Sequence, residues 1–306
     1  MPVFTSSVEP VLGTRVALRF HATDRATAEE AERRVLAEFD RLEALLSAYR
    51  PDSEWSRWRA SAIDEAGPEL RTLLRLAATW HARSAGAFNP AVGVLRARWQ
   101  RAVDEQREPG ADELARLAAS IVDLPYRVHS DGRVERTGDC THLDLHAIAK
   151  GWIVDRAAEQ ATTMTGVQQV VVNAGGDLLH RGAGELIGRV EDPREPYDNA
   201  PPMVLVRVVD AALATSSPSR RGLRVGEQVH HHVIDPRTGH PARHVWSASV
   251  LAPDCATADA LATVVGVLPI ADGLAATEAT HGAACCLLDE RGEMWRSHAW
   301  DAAEQR

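Results

Sequence analysis

The chain contains a single lysine, Lys150, and the rest of its 34 basic residues are arginine. Lysine carries a compact, strongly hydrated ammonium group, so one retained lysine can mark a position that needs this charge. Asp144 precedes it at the end of a short apolar run that leads into a helical pattern. A carboxylate, free helix amides and one ammonium group can together bind a diphosphate. The alternative is a capped helix with a solvated lysine that remained by compositional drift.

A second pair of polar residues, Asp259 and Thr263, lies in the alanine-rich segment 255–263. If this segment is helical, the two residues are i, i+4 neighbours and place a carboxylate and a hydroxyl on one face. Hard oxygen ligands of this kind suit Mg²⁺, which also keeps water ligands and binds phosphate oxygens. In the structural alternative, Thr263 bonds to a backbone carbonyl and Asp259 caps the helix.

Three consecutive histidines, His230, His231 and His232, precede the turn sequence DPRTG. Side chains alternate along a strand, so we expect the first and third histidine to share one face and His231 to point to the other. The helical spacing or cysteine partners that zinc favours are not found here. His232 is a candidate proton acceptor near neutral pH, and a hydrogen-bonded structural histidine is the alternative.

The segment Val171–Asp177 predicts a strand that runs into two consecutive glycines. Glycine permits positive φ and a close approach of the backbone to a phosphate, as nucleotide-binding loops require. A plain tight turn has the same signature and is the more frequent case.

Hydrophobic patterns indicate the elements that must position these residues. A first strand is predicted over 14–20. Thr27 and Glu30 form a capping-box pattern, which predicts the start of a helix that ends near Arg50–Pro51.

Beyond residue 165 the pattern is mostly that of strands, and a helix resumes over 257–268. The predicted strands are VQQVVVN, ELIGRV, MVLVRVV, QVHHHVID, WSASVL and the apolar run that contains Cys285 and Cys286. Grouped strands with helices elsewhere indicate an α+β fold, in which mainly antiparallel or mixed twisted sheets are flanked by helices.

The composition excludes several classes of protein. A formal charge of −9 argues against long-range attraction to nucleic acid or to an anionic bilayer. No apolar run approaches the roughly 18 residues of a membrane span, and the N-terminus does not have the pattern of a signal peptide. We therefore expect a cytoplasmic protein with no stable membrane insertion, unless an upstream start was trimmed. Four cysteines without metal-type spacing are expected to be buried free thiols.

Taken in order along the chain, these segments resemble the ApbE family, the FAD:protein FMN transferases. The resemblance covers about residues 10–290. The matching motifs are LGT from residue 12, SAYRPDSE from 47, GAFNPAVG from 86, LDLHAIAKGWIVD from 143, VVNAGGD from 171, ALATSS from 212, HHVIDPRTGHP from 231 and ADALAT from 258.

The resemblance implies an ApbE-type, T-fold-like α+β fold in one domain over 1–306, with up to two lobes around a central FAD cleft. It also implies Mg²⁺-dependent transfer of FMN from FAD to a Thr or Ser hydroxyl of an acceptor flavoprotein, with release of AMP. Two alternatives remain open. One is an Mg²⁺-dependent FAD pyrophosphatase, in which water replaces the acceptor, and the other is an FAD-binding carrier without chemistry.

Site residues follow from the same resemblance. Asp259, Thr263 and the backbone oxygen of Ala147 would bind Mg²⁺. Lys150 would neutralise phosphate charge, and His232 would take the proton of the attacking hydroxyl. The residues that would line FAD are Leu12, Thr14, Tyr49, Ala87, Phe88, Asn89, Asp144, Lys150 and Val233.

The sequence departs from the family pattern at a few positions. Leu12 stands where relatives usually carry Met, Asn89 where Asp is commoner, and Arg59 where Asn is frequent. The run SSPSR over 216–220 replaces the usual Ser-Gly-Asp-Tyr sequence.

Overall fold

A computed structural model describes residues 1–195, 200–217 and 222–305. The helices are α1 (Arg25–Leu46), α2 (Glu54–Arg59), α3 (Pro68–Arg83), a 3₁₀ helix (Pro90–Val92), α4 (Gly93–Glu105), α5 (Ala111–Ser120), α6 (His146–Thr162), α7 (Cys255–Val267), α8 (Ile270–Glu278) and α9 (Trp300–Ala303). The strands are β1 (Val3–Val11), β2 (Thr14–Ala22), β3 (Tyr126–Val128), β4 (Val134–Arg136), β5 (Val167–Ala174), β6 (Asp177–Gly182), β7 (Leu186–Val190), β8 (Val204–Val208), β9 (Ala212–Ser216), β10 (Leu223–Val225), β11 (Gln228–His230), β12 (Ser247–Ala252), β13 (Ala284–Leu288), β14 (Met294–Arg296) and β15 (Glu304–Gln305).

An eight-stranded sheet forms the centre of the described chain, with the strand order β1-β2-β5-β6-β9-β12-β13-β14. Its neighbouring strands pair antiparallel. A smaller sheet has the order β15-β8-β7. These sheets and the helices beside them confirm the predicted α+β fold class.

Alternation of apolar residues along the strands explains why the central sheet is covered on both faces. On β5, Val170 and Val172 belong to the larger core, whereas Val171 between them belongs to a second core. The larger core includes the apolar faces of α1, α6 and α7, and the second core contains residues of the small sheet together with Trp300. A strand with apolar side chains on both faces must be buried on both. The two helices that carry the candidate site, α6 and α7, therefore pack on one face of this sheet.

Helix α1 begins earlier than the capping-box pattern predicts. Its N-cap is Asp24, whose carboxylate accepts a hydrogen bond from the Thr27 amide at 2.8 Å. The predicted pairing of Thr27 with Glu30 is wrong, because an aspartate three residues before Thr27 already satisfies that amide. The helix ends at Leu46, a few residues before the predicted Arg50–Pro51 boundary.

Other differences concern strands. The strand predicted over 14–20 is β2. Strand β1, which precedes it and pairs with it as a hairpin, was not predicted. The predicted strand QVHHHVID is ordered as a strand only over Gln228–His230. Cys285 and Cys286 lie on the buried strand β13, as predicted, and all four cysteines are buried free thiols.

Within the described residues, no helix is both long enough and apolar enough to cross a membrane. Part of the divergent loop over 216–220 lies outside the described residues.

Candidate active site

Helix α6 places Lys150 beside the strand that follows the paired glycines. The Nζ atom of Lys150 lies 2.5 Å from a carboxylate oxygen of Asp177, the first residue of β6. Asp177 is buried, and the Lys150 side chain is 29% exposed. The lysine is thus paired with a carboxylate between helix and sheet and is not a freely solvated surface side chain.

Helix α7 crosses α6 at Gly151, the residue that follows the lysine. A Cβ atom at this position would lie 2.3 Å from the carbonyl oxygen of Cys255, so glycine is required for the close approach. The Gly151 amide also donates to Oδ2 of Asp259 at 3.3 Å. The crossing therefore brings the carboxylate of α7 against the backbone of α6, next to Lys150.

The predicted helical spacing of Asp259 and Thr263 is confirmed, since both lie on α7. The Thr263 hydroxyl donates to the carbonyl oxygen of Asp259 at 3.4 Å, as the structural alternative proposed for it. This bond leaves the lone pairs of the hydroxyl oxygen available to a cation. Asp259 does not cap the helix, because that role belongs to Asp254.

Charges at this crossing favour a cation. Burial raises the pKa of Asp259, and the negative charge of Asp177 raises it further, while Lys150 acts in the opposite direction. Burial by itself lowers the pKa of Lys150, but Asp177 and Asp259 outweigh it and the net shift is upward. Two carboxylates and one ammonium group leave a formal charge of −1, and a divalent ion would relieve the repulsion between the carboxylates.

The donor chemistry fits Mg²⁺ only if backbone or substrate oxygens complete the site. Within the described ranges, no group of three or more acidic, histidine or cysteine side chains is placed to hold a metal. The residues that could hold Mg²⁺ are Asp259, Thr263 and the carbonyl of Ala147, which lies in the first turn of α6. Such an all-oxygen set, completed by phosphate oxygens and water, is how Mg²⁺ is commonly bound.

The loop before α6 is held in place by Asp144. Its Oδ1 atom accepts from the His146 amide at 2.8 Å, and its Oδ2 atom forms an ion pair with Arg96. Burial raises the pKa of Asp144, but His146 and Arg96 lower it, so the net shift is downward. Tyr49 lies beside the first residue of α6, with its ring centroid 6.0 Å from that of His146, and the residue is 87% exposed. An exposed aromatic ring of this kind can stack on an aromatic ligand.

Ala87, Phe88 and Asn89 form a buried segment beside the same loop. Asn89 caps the 3₁₀ helix by accepting from the Ala91 amide at 2.8 Å, and its Nδ2 atom donates to the Ile121 carbonyl at 2.7 Å. An ionised aspartate cannot make the second bond, which explains why asparagine suits this chain. The neighbouring carbonyl of Pro90 accepts from the Asp144 amide at 2.7 Å, so this segment supports the loop that carries Asp144.

The turn between β1 and β2 reaches the glycine pair that precedes Asp177. Leu12 has a φ of 51°, and its amide donates to a carboxylate oxygen of Glu43 at 3.1 Å. A Cβ atom at Gly175 would lie 2.5 Å from Oγ1 of Thr14, so the two turns are packed together. Thr14 therefore lies against Gly175, which precedes Asp177 by two residues along the chain, and β2 pairs with β5 in the central sheet.

The histidine cluster differs from the prediction. Strand β11 ends at His230, so the alternation of faces does not continue, and the rings of His231 and His232 stack at 5.0 Å with an interplanar angle of 14°. Nδ1 of His231 accepts from the Val233 amide at 2.9 Å, and burial lowers the pKa of His231 to about 4. The predicted turn is present, because the amide of Gly239 donates to the carbonyl of Asp235 at 2.8 Å.

Sequence reasoning did not assign roles to Asp177, Arg96 or Asp155. Asp177 ends the glycine motif. A buried lysine requires a carboxylate partner, so the single lysine of the chain could have pointed to this aspartate. Arg96 lies on α4 among other arginines, and Asp155 is followed by Arg156 on α6, so the sequence does not distinguish either one from a solvated side chain.

The described architecture defines an α+β protein with an acidic, lysine-containing site between two crossing helices on one face of an antiparallel sheet. The ApbE family model matches residues 12–287. The chain therefore belongs to the ApbE family, as the motifs predicted.

Relatives of known name support this membership. The FAD:protein FMN transferase of Treponema pallidum (strain Nichols) is 30% identical over 293 residues, which cover 86% of this chain and 78% of that protein. The crystal structure of the ApbE protein from Thermotoga maritima matches with a TM-score of 0.86 at 25% identity and covers 100% of both chains. Apo flavinyl transferase ApbE from Pseudomonas stutzeri has the same fold, with a TM-score of 0.80 at 24% identity over 99% of this chain and 96% of that chain. The names of these relatives agree with the predicted class of enzyme, a transferase.

Proposed function

We propose that this chain transfers FMN from FAD to a Thr or Ser hydroxyl of an acceptor protein, in an Mg²⁺-dependent reaction that releases AMP. The observation that carries the proposal is the convergence of Lys150, Asp177 and Asp259 at the crossing of α6 and α7. Family membership supplies the substrate class, because relatives in the ApbE family are named FAD:protein FMN transferases.

The reaction is a phosphoryl transfer, which depends mainly on positioning and charge neutralisation. The acceptor oxygen attacks the phosphorus on the FMN side of the diphosphate. A phosphoester bond forms, the bond to the bridging oxygen breaks, and that oxygen leaves with AMP. Lys150 neutralises phosphate charge, and Asp177 holds its ammonium group in place. Bound Mg²⁺, held by Asp259, Thr263 and the Ala147 carbonyl, would neutralise the diphosphate and stabilise the leaving phosphate.

His232 accepts the proton of the attacking hydroxyl in this proposal. Its stacked neighbour, His231, is neutral at pH 7 because burial lowers its pKa to about 4. A neutral imidazole places no positive charge beside the ring of His232.

FAD would lie against the loop that carries Asp144. The exposed ring of Tyr49 offers a stacking surface for an aromatic ring system. Leu12, Thr14, Val233 and the segment 87–89 complete the proposed binding surface.

The proposal is tested by mixing the protein with FAD, Mg²⁺ and candidate acceptor flavoprotein domains, followed by mass spectrometry of the denatured acceptors. The expected result is an acceptor with one added FMN that survives denaturation, together with one AMP per transfer. Release of AMP and free FMN without labelled acceptor would favour the pyrophosphatase instead. Tight retention of FAD with no AMP would favour a carrier.

Two further proposals concern the whole chain. We infer a single domain, for which a single cooperative unfolding transition is expected in calorimetry. We also infer a cytoplasmic location, which fractionation of the native cells tests directly.

A further inference from the structure

We infer that Asp155 is a positioning residue, which sets the distance between the two helices of the proposed metal site. This inference rests on the proposed function and identifies how its metal ligands are held. Asp155 lies on α6 and is 8% exposed. Its Oδ1 atom accepts from the Cys255 amide and its Oδ2 atom from the Ala256 amide, both at 2.9 Å.

These two amides are the first of α7, and helix N-termini leave such donors without partners inside the helix. Helix α7 already has a cap of its own, Asp254, which accepts from the Thr257 amide at 2.7 Å. The carboxylate of Asp155 therefore has a role that is different from the capping role of Asp254. It joins the start of α7 to a different helix, and the positive end of the α7 dipole strengthens this contact.

A third element is tied to the same point. Arg181 of β6 donates to the Pro253 carbonyl at 2.7 Å, and its Nη2 atom lies 3.9 Å from Oδ1 of Asp155. The same strand begins with Asp177, the partner of Lys150. Helix α6 and strand β6 are thus joined at two points, and the N-terminus of α7 is held at the second.

The position of Asp259 depends on this connection. Asp259 lies one turn along α7 from Cys255, whereas Lys150 and Ala147 lie on α6 before Asp155. At the crossing itself, Gly151 allows the two backbones to approach but supplies only one long hydrogen bond, from its amide to Asp259 at 3.3 Å. Asp155 supplies two shorter bonds between the helices. Without them, the ligands on α7 lose their fixed distance from those on α6.

The test measures binding of Mn²⁺, used alone as the probe, by electron paramagnetic resonance. The variants are Asp155→Ala, Asp155→Asn and, as a matched control on the same helix end, Asp254→Ala. All measurements are made on protein with native near-UV circular dichroism, well below each melting temperature. Asp155→Asn keeps the side-chain volume and one acceptor oxygen, so it remains informative where Asp155→Ala does not fold.

Both Asp155 variants are expected to weaken Mn²⁺ binding by about tenfold or more, as loss of a group that orients metal ligands does. Asp254→Ala is expected to lower the melting temperature but to change Mn²⁺ affinity less than about twofold. Unchanged affinity in the folded Asp155 variants would overturn the inference, as would an equal loss in Asp254→Ala. If the wild-type chain itself binds no Mn²⁺, the metal assignment of the proposed function fails first, and the inference fails with it.

Discussion

The crossing of α6 and α7 leads to a prediction for Gly151→Ala. The new Cβ atom would lie 2.3, 2.6 and 2.9 Å from three backbone atoms of Cys255 and Ala256. Carbon contacts need about 3.5 Å, so the N-terminus of α7 must retreat by roughly 1 Å. Overpacking of this kind costs about 3 kcal/mol when no flexible side chain can yield, and alanine returns about 1 kcal/mol of helix propensity. The net loss is about 2 kcal/mol, or roughly 3 °C in the melting temperature of a chain of this length.

The chain offers a matched control in Gly266→Ala. Gly266 lies on α7, and a Cβ atom there would have no neighbour within 4 Å. This variant is expected to be stabilised by about 0.5–1 kcal/mol, because only the propensity gain remains. The assay is calorimetry of both variants beside AMP release from FAD in the presence of an acceptor. A misplacement of about 1 Å is expected to reduce turnover by about 10²-fold in Gly151→Ala only. Wild-type stability and turnover in Gly151→Ala would refute the close crossing of the two helices.

Three further predictions concern single side chains. Lys150→Met should weaken FAD binding by about 1.5–3 kcal/mol, measured by titration, since a charged phosphate contact is lost; unchanged affinity would contradict this role. His232→Ala should slow FMN transfer by roughly 10²–10⁴ with FAD binding retained, and a much smaller drop in single-turnover assays would assign His232 a structural role. His231 has a pKa of about 4 when folded and about 6.5 when unfolded, so the unfolded chain binds more protons between these values. Stability from neutral His231 is therefore complete above pH 6.5 and falls by about 3 kcal/mol as the pH drops to 4. Denaturant titrations should show a flatter profile in His231→Asn, whose amide oxygen can still accept from Val233; an identical profile would argue against a buried neutral imidazole.

Local patterns were sufficient for much of the fold. The strand β5 and the helix α7 follow from runs of apolar residues and their periodicity, which depend only on neighbours in sequence. The predicted capping box at Thr27 was wrong for a local reason as well, because the Asp24 carboxylate accepts from the Thr27 amide. The prediction of a strand through the three histidines was wrong, because β11 ends at His230. The rings of His231 and His232 stack on each other instead of pointing to opposite faces of a strand.

The candidate site was predicted less completely, for a different physical reason. Lys150, Asp259 and Thr263 were identified by residue type and spacing within their own segments. Their partners were not, because such pairs are formed only when distant elements cross. Asp177 follows Lys150 by 27 residues, and the amides that Asp155 accepts from are about 100 residues away along the chain. No segment of the sequence, taken by itself, encodes either of these two contacts.

We propose that α6 and α7 together hold one divalent ion against the diphosphate of FAD. A crystal structure of the protein with FAD and Mn²⁺, with anomalous diffraction recorded at the manganese edge, tests it most directly. The expected result is a single peak bonded to Asp259, Thr263, the Ala147 carbonyl and diphosphate oxygens, with Lys150 on the same phosphates. A manganese peak elsewhere, or FAD bound with its diphosphate away from this crossing, would contradict the claim.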